Sequence, residues 1–220
     1  MLPIFAGSIL CSEELVIKRC AYYTDVEYML KILNSIGVKT IKNGQDVYID
    51  PSIADKYSID EKYTKKIRSS IFMLGPLLAR FRKAKVSYPG GCNIGLRPID
   101  LHINGLKRLN VKIVERHGYI YCDGKNMRAG EVHLDFPSVG ATENLIMASI
   151  FLKGKTTLYN VAKEPEIVDL VNFLNNMGAK IFGASLMKKN LCSDAVPFLS
   201  WVVFLLSSCK NSFGFPVAQR

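Results

Sequence analysis

Apolar and polar positions along the chain follow two spacings, and they follow them in the same order three times. Asp25 to Ile41 (DVEYMLKILNSIGVKTI), Asp100 to Val114 (DLHINGLKRLNVKIV) and Glu166 to Phe182 (EIVDLVNFLNNMGAKIF) carry apolar residues at three- and four-residue intervals, the pattern of an amphipathic helix. Each then reaches a residue suited to stop a helix: Gly37, Asn110 and Gly178. Each continues as a short apolar and basic strand, Val38 to Ile41, Val111 to Val114 and Ala179 to Phe182. The stops recur with a period of roughly 70 residues, which reads as one supersecondary unit used three times.

The region upstream of each stretch repeats as well. Apolar helices are expected over Leu2 to Leu10, Arg68 to Phe81 and Ala141 to Leu152, with strands at Glu14 to Ile17, Lys85 to Tyr88 and Thr156 to Tyr159. Hairpin-like strands follow at Asp46 to Ile49 and at Tyr119 to Cys122, the second before Asp123-Gly124. The unit is helix–strand–helix–strand–strand, which makes the fold class α/β. Three such units around a pseudo-threefold axis would bury their helices centrally and leave the sheets outside.

Composition narrows the picture. A chain of 220 residues with 49% hydrophobic and 22% charged residues is an ordinary globular protein, large enough for one substantial domain or two small ones. The formal charge of +10 suits an anionic partner. Nucleic acid is not expected, because no basic stripe interleaved with aromatics runs along the chain. The six cysteines form no C-x-x-C pair, so no zinc site is expected, and no signal peptide precedes them. The thiols are therefore expected to be reduced, in a cytoplasm. The apolar run Ala195 to Cys209 is short for a bilayer and contains Pro197, so no membrane span is expected.

The candidate chemistry lies in Pro89 to His102, PGGCNIGLRPIDLH. Adjacent glycines allow this loop to approach a ligand closely. Cys92 sits at its centre, and a guanidinium such as that of Arg97 favours thiolate and grips phosphate or carboxylate. Asp100 is placed to cap the next helix. On the residues alone, a small cysteine buried in a tight turn, the fate of most lone cysteines, is the stronger reading. His102, His117 and His133 are scattered, and packing or capping is the expected role of His102.

The whole string resembles the active-site loop of the UDP-N-acetylglucosamine enolpyruvyl transferases, or 1-carboxyvinyltransferases. Three further segments resemble that family in the same order: Arg68 to Phe81 (RSSIFMLGPLLARF), Phe136 to Asn144 (FPSVGATEN) and Glu164 to Asp169 (EPEIVD). The resemblance covers residues 1 to 184. It implies two inside-out α/β barrels, each of three βαβαββ units, of which this chain holds one. It implies transfer of the enolpyruvyl group of phosphoenolpyruvate to UDP-N-acetylglucosamine with release of phosphate, the committed step of peptidoglycan synthesis, without a cofactor.

Site roles follow from the same resemblance. Cys92 matches the residue that helps to protonate the methylene carbon, forms an adduct with phosphoenolpyruvate and is alkylated by fosfomycin. Arg97, Pro98, Ile99, Asp100 and Leu101 match the loop that touches the UDP-sugar, and Arg68 matches another substrate-binding arginine. Ser138, Val139 and Gly140 match a nucleotide-binding segment at a helix start, where Ser138 also suits a cap. Glu164 matches a carboxylate near the cleft, with a plain helix-start role equally open.

The sequence departs from the family in four ways. The Lys-Asn pair expected upstream of the Leu-Pro segment is not in this sequence, which begins Met1-Leu2-Pro3. The second barrel is not in it either. Phe136 stands where a substrate-binding lysine is common. Residues 185 to 220 read as a divergent tail without repeat grammar, as a frameshift would produce. A separately encoded second half is the expected partner, and little or no turnover is expected of this chain alone. The alternatives are a non-catalytic nucleotide-sugar-binding fragment or a pseudogene product. The related shikimate-pathway transferase is disfavoured, since it lacks the cysteine loop.

Overall fold

The computed structural model describes residues 1–89, 99–183, 191–194 and 203–205, the last two segments as backbone alone. The first unit runs α1 (Leu2–Gly7), β1 (Leu15–Lys18), α2 (Thr24–Ser35), β2 (Lys39–Asn43) and β3 (Asp46–Asp50). A short α3 (Glu61–Thr64) leads to the second unit: α4 (Leu74–Phe81), β4 (Lys83–Ser87), α5 (Asp100–Arg108), β5 (Lys112–Arg116) and β6 (Tyr119–Asp123). After β7 (Glu131–His133) comes the third: α6 (Val139–Ser149), β8 (Thr156–Tyr159), α7 (Pro165–Asn176), β9 (Lys180–Phe182) and β10 (Leu191–Asp194). A last strand, β11, spans Val203–Leu205.

The three units share one topology. Their strands pair in the orders β1-β3-β2, β4-β6-β5 and β8-β10-β9, every pair antiparallel. The helix stops are also shared. Gly37, Asn110 and Gly178 all take positive φ, at 94°, 65° and 107°. In each, the following N–H reaches back five residues to a helix carbonyl: Val38 to Leu33 at 3.1 Å, Val111 to Leu106 at 3.2 Å, Ala179 to Leu174 at 3.0 Å. That is the Schellman closure, which satisfies carbonyls a helix end leaves orphaned.

The ring closes through parallel pairs. β7 lies parallel beside β8, Ser58 bridges in parallel to Lys85 of β4, and β11 lies parallel beside β1. Each sheet thus accepts a piece of chain that comes from the unit before it, and β11 returns the last unit to the first. β10 and β11 fall within residues 185 to 220, yet β10 occupies in unit three the place of β3 and β6. Ladder pairing uses backbone groups, so a segment without the repeat's side-chain pattern still fills the slot. No helix among the described residues is long and apolar enough to cross a membrane. Of Ala195 to Cys209 only Val203–Leu205 is described, as strand.

Helix boundaries differ from expectation where side chains compete with the helix. Leu2 to Leu10 divides into α1 and a 3₁₀ turn at Ser8–Leu10, where the Ser8 hydroxyl donates to the Phe5 carbonyl at 2.7 Å. Arg68 to Phe81 divides into a 3₁₀ segment, Arg68–Met73, and α4. Pro76 explains the break. It has no N–H to give the Phe72 carbonyl, and a fresh start at Leu74 places it in the first turn, where none is needed. Asp100 is not the cap of α5. Ile99 holds that place, its carbonyl accepting from Ile103 N–H at 3.1 Å, and Asp100 is the first helical residue, where its charge suits the helix dipole.

The helices form the interior, with α6 at its centre. Every residue from Ala141 to Ser149 is buried, polar Thr142, Glu143, Asn144 and Ser149 included. α4 crosses α6 closely enough that a methyl group on Gly75 would lie 2.3 Å from the Asn144 carbonyl oxygen. The contact is backbone on backbone, so no rotamer change relieves it. Gly75→Ala is expected to lower unfolding stability by about 2–3 kcal/mol. Urea unfolding checks this, and an unchanged midpoint would contradict the packing.

Candidate functional site

The start of α6 is where the units meet. Ser138 caps it, its hydroxyl accepting from Ala141 N–H at 3.4 Å, while its carbonyl accepts from Thr142 N–H at 3.0 Å. Ser138 therefore is a cap as expected, and the first N–H groups of the helix, those of Val139 and Gly140, have no use within the helix itself. Gly140 is crowded from unit two: a methyl there would lie 3.1 Å from His102 Cε1 and 3.2 Å from Phe72 Cε1.

His102 is buried in α5 and is held by Asn144 of α6. The Asn144 side chain is bonded in a fixed sense. Its oxygen accepts from Gly75 N–H at 2.8 Å. Its nitrogen donates to the Ile71 carbonyl at 3.1 Å and meets His102 Nδ1 at 2.9 Å. A backbone N–H can only donate, which fixes the amide orientation and makes Nδ1 an acceptor. The imidazole is therefore neutral with its proton on Nε2. Burial, helped by the nearby positive charge of Arg68, lowers its pKa to about 4. The structure thus gives His102 the expected packing role and brings Arg68, at the start of the 3₁₀ segment, into the same neighbourhood as Gly140.

Two pockets flank Phe136, which is 69% exposed. One, about 390 Å³, is lined by Leu101, Asn104, Lys107, Arg108, Leu134 and Asp135, so it lies between α5 and the chain after β7. The other, about 440 Å³, is lined by Pro137, Asn160, Val161, Ala162, Lys163 and Glu164. Ile99 is buried, Asp100 is exposed and Leu101 is half-buried. Glu164 is the N-cap of α7 with no side-chain cap bond, and its carboxylate accepts from Lys163 N–H at 2.7 Å. Arg68, the start of α5, the start of α6 and Glu164 therefore gather around the junction of units two and three. Cys92, Arg97 and Pro98 lie outside the described residues. Their flanks are placed: Tyr88 N–H donates to the Gly118 carbonyl at 2.9 Å, and Ile99 opens α5 one turn before His102.

Glu143 was not singled out by sequence. It is 1% exposed, and its Oε2 has no hydrogen-bond partner among the described residues. Burial raises its carboxyl to about 8; the Met1 amino group opposes this, and Glu166 and Glu164 add to it. The only sequence signal was a charged residue inside a helix that carries no other charge. Among the described residues, no cluster of His, Cys, Asp and Glu could hold a metal ion.

The two buried groups act on stability with opposite signs. Unfolded His102 binds a proton below 6.5 and the folded form resists until about 4, so stability rises with pH across that window. Unfolded Glu143 loses its proton above 4.5 and the folded form keeps it to about 8, so stability falls across that window. Of these two, Glu143 alone acts above pH 6.5. Stability is expected to drop by about 2 kcal/mol from pH 6.5 to 8, and Glu143→Gln to flatten that drop. Denaturant titrations at both pH values check this; an equal drop in the variant would contradict it.

A family model for EPSP synthase (3-phosphoshikimate 1-carboxyvinyltransferase) matches residues 1–189. UDP-N-acetylglucosamine 1-carboxyvinyltransferase 2 of Caldanaerobacter subterraneus subsp. tengcongensis is 50% identical over 184 residues, which cover 84% of this chain and 44% of that protein. UDP-N-acetylglucosamine 1-carboxyvinyltransferase 1 of Clostridium acetobutylicum is 48% identical over 183 residues, 82% of this chain and 44% of that protein. The chain thus spans less than half the length of these relatives. Among solved structures, the enolpyruvyl transferase NikO from Streptomyces tendae matches with a TM-score of 0.80 at 17% identity, over 93% of this chain and 48% of that one. EPSP synthase from Acinetobacter baumannii matches with a TM-score of 0.67 at 12% identity, over 91% and 47%. These two likenesses concern the fold.

Proposed function

The chain belongs to the EPSP synthase family, and we propose that it is the half of a UDP-N-acetylglucosamine enolpyruvyl transferase that seats the UDP-sugar and carries the reactive thiol. The observation that carries this reading is the gathering of Arg68, the α5 start and the Ser138–Gly140 helix start around neutral His102. Cationic and N–H donors gathered in this way suit a diphosphate, and they lie beside Ile99, which follows the Cys92 loop. The relatives near 50% identity and the loop PGGCNIGLRPIDLH favour the UDP-sugar over the shikimate substrate in the family model's name.

In this reading the pocket between Leu101 and Asp135 takes part of the nucleotide, with Lys107 and Arg108 at its wall. Arg97 grips phosphate. Cys92 acts at the methylene carbon of phosphoenolpyruvate. A proton placed there leaves C2 cationic in character, the sugar 3-hydroxyl adds to C2 as it gives its own proton to a base from the second barrel, and loss of a methyl proton with phosphate restores the double bond. Glu164 faces the second pocket and orients polar groups of the substrate. The setting is cytoplasmic peptidoglycan synthesis, with fosfomycin as an alkylating agent of Cys92.

Catalysis in this scheme needs groups from a second barrel held in register with these. The chain alone is expected to bind UDP-N-acetylglucosamine weakly and to release little or no phosphate from phosphoenolpyruvate. Supplying the second half of a close relative is expected to raise phosphate release, and Cys92→Ala to remove the gain. A full rate from the chain alone, or calorimetric binding that survives Arg68→Ala unchanged, would overturn the proposal.

A further inference from the structure

Sheet pairing assembles a surface that linear reading does not show. The alternation of side chains along β4, β6 and β5 sends Ala84, Val86, Ile120 and Cys122 to the core. The opposite face carries Lys83 and Lys85 from β4, Tyr119, Tyr121 and Asp123 from β6, and Lys112, Val114 and Arg116 from β5. Lys85, Tyr121 and Val114 stand in register across the three strands. Four cations thus surround two tyrosines with a single carboxylate among the outward positions. The same face of unit one pairs Val16, Tyr48 and Ile41 in register but carries two cations, Lys18 and Lys39, against Asp46 and Asp50. The cationic character distinguishes unit two from unit one.

The tyrosines and cations are already in contact. Lys85 Nζ lies 4.6 Å from the Tyr119 ring centre and 5.4 Å from that of Tyr121, and the Arg116 guanidinium carbon lies 5.0 Å from the Tyr121 ring centre. Tyr119 is pinned at one end, its hydroxyl donating to Glu61 Oε2 of α3 at 3.1 Å. Glu61 itself pairs with Lys65. Val114, 44% exposed, extends the apolar floor.

We propose that this outer face of the β4-β6-β5 sheet binds single-stranded nucleic acid. Flat rings on an open sheet offer stacking surfaces to unpaired bases, and long cationic side chains that now rest on those rings can turn to phosphates. A duplex, whose bases are stacked inside, has no such use for the tyrosines. An acidic peptide would use the cations without the rings. The surface lies on the outside of the sheet, away from the helix junction, so the proposal stands apart from the enolpyruvyl transferase reading.

Fluorescence anisotropy of the full chain with labelled oligo(U), oligo(dT) and a poly-glutamate peptide tests it. Both oligonucleotides are expected to bind more tightly than the peptide and to weaken steeply with salt. Tyr121→Leu, at an outward position, is expected to weaken oligonucleotide binding about tenfold, and Lys85→Gln to reduce the salt slope. Tyr48→Leu on the matching face of unit one is expected to change neither. A preference between the two oligonucleotides assigns RNA or DNA within the proposal. No binding, equal binding of poly-glutamate, or equal loss from Tyr48→Leu would overturn it.

Discussion

One side-chain amide holds the junction on which the candidate site rests. Asn144, buried at the centre of α6, accepts from Gly75 of α4, donates to Ile71 in the 3₁₀ segment before it, and donates to His102 of α5. Three elements of unit two are thereby tied to one helix of unit three. A buried amide left without these partners would carry an unsatisfied donor and acceptor, each costing about 1–3 kcal/mol. The network is therefore all or nothing, and it positions what surrounds it: Gly75 admits the close crossing, and His102 and Phe72 pack over Gly140 at the first turn of α6.

Charge at the junction follows from the same burial. His102 is held neutral between Asn144 and the Arg68 charge, and Glu143, one residue before Asn144, is held protonated by desolvation. A neutral imidazole leaves the positive charge at the helix start to Arg68 and to the helix dipole, both suited to an anion. A buried neutral acid beside Glu164 and Glu166 keeps a further negative charge away from that anion.

Much of the architecture was legible because the repeat is written in side-chain spacing. Gly37, Asn110 and Gly178 marked equivalent stops, and all three adopt the left-handed closure that such residues permit. Segment type was legible, but helix continuity was not. The break before Leu74 depends on a proline lacking one N–H, and that at Ser8 on a hydroxyl bonding backward. β10 was hidden because its pairing uses backbone groups and not pattern. Among site residues, Ser138 showed its cap in sequence, whereas nothing in the sequence singled out Glu143 or Asn144; only packing pairs Asn144 with three elements and leaves Glu143 Oε2 without a partner among the described residues. The cationic tyrosine face was invisible for a different reason: its members lie on three strands, up to 38 residues apart between Lys83 and Tyr121, and meet only through register.

The state of His102 tests the Asn144 junction most directly. Long-range ¹H–¹⁵N correlation of the imidazole near pH 6 reports which nitrogen carries the proton. The junction predicts a neutral ring, protonated at Nε2 and bare at Nδ1, that does not titrate until near pH 4. A ring protonated at both nitrogens at pH 6, or carrying its proton on Nδ1, would contradict it.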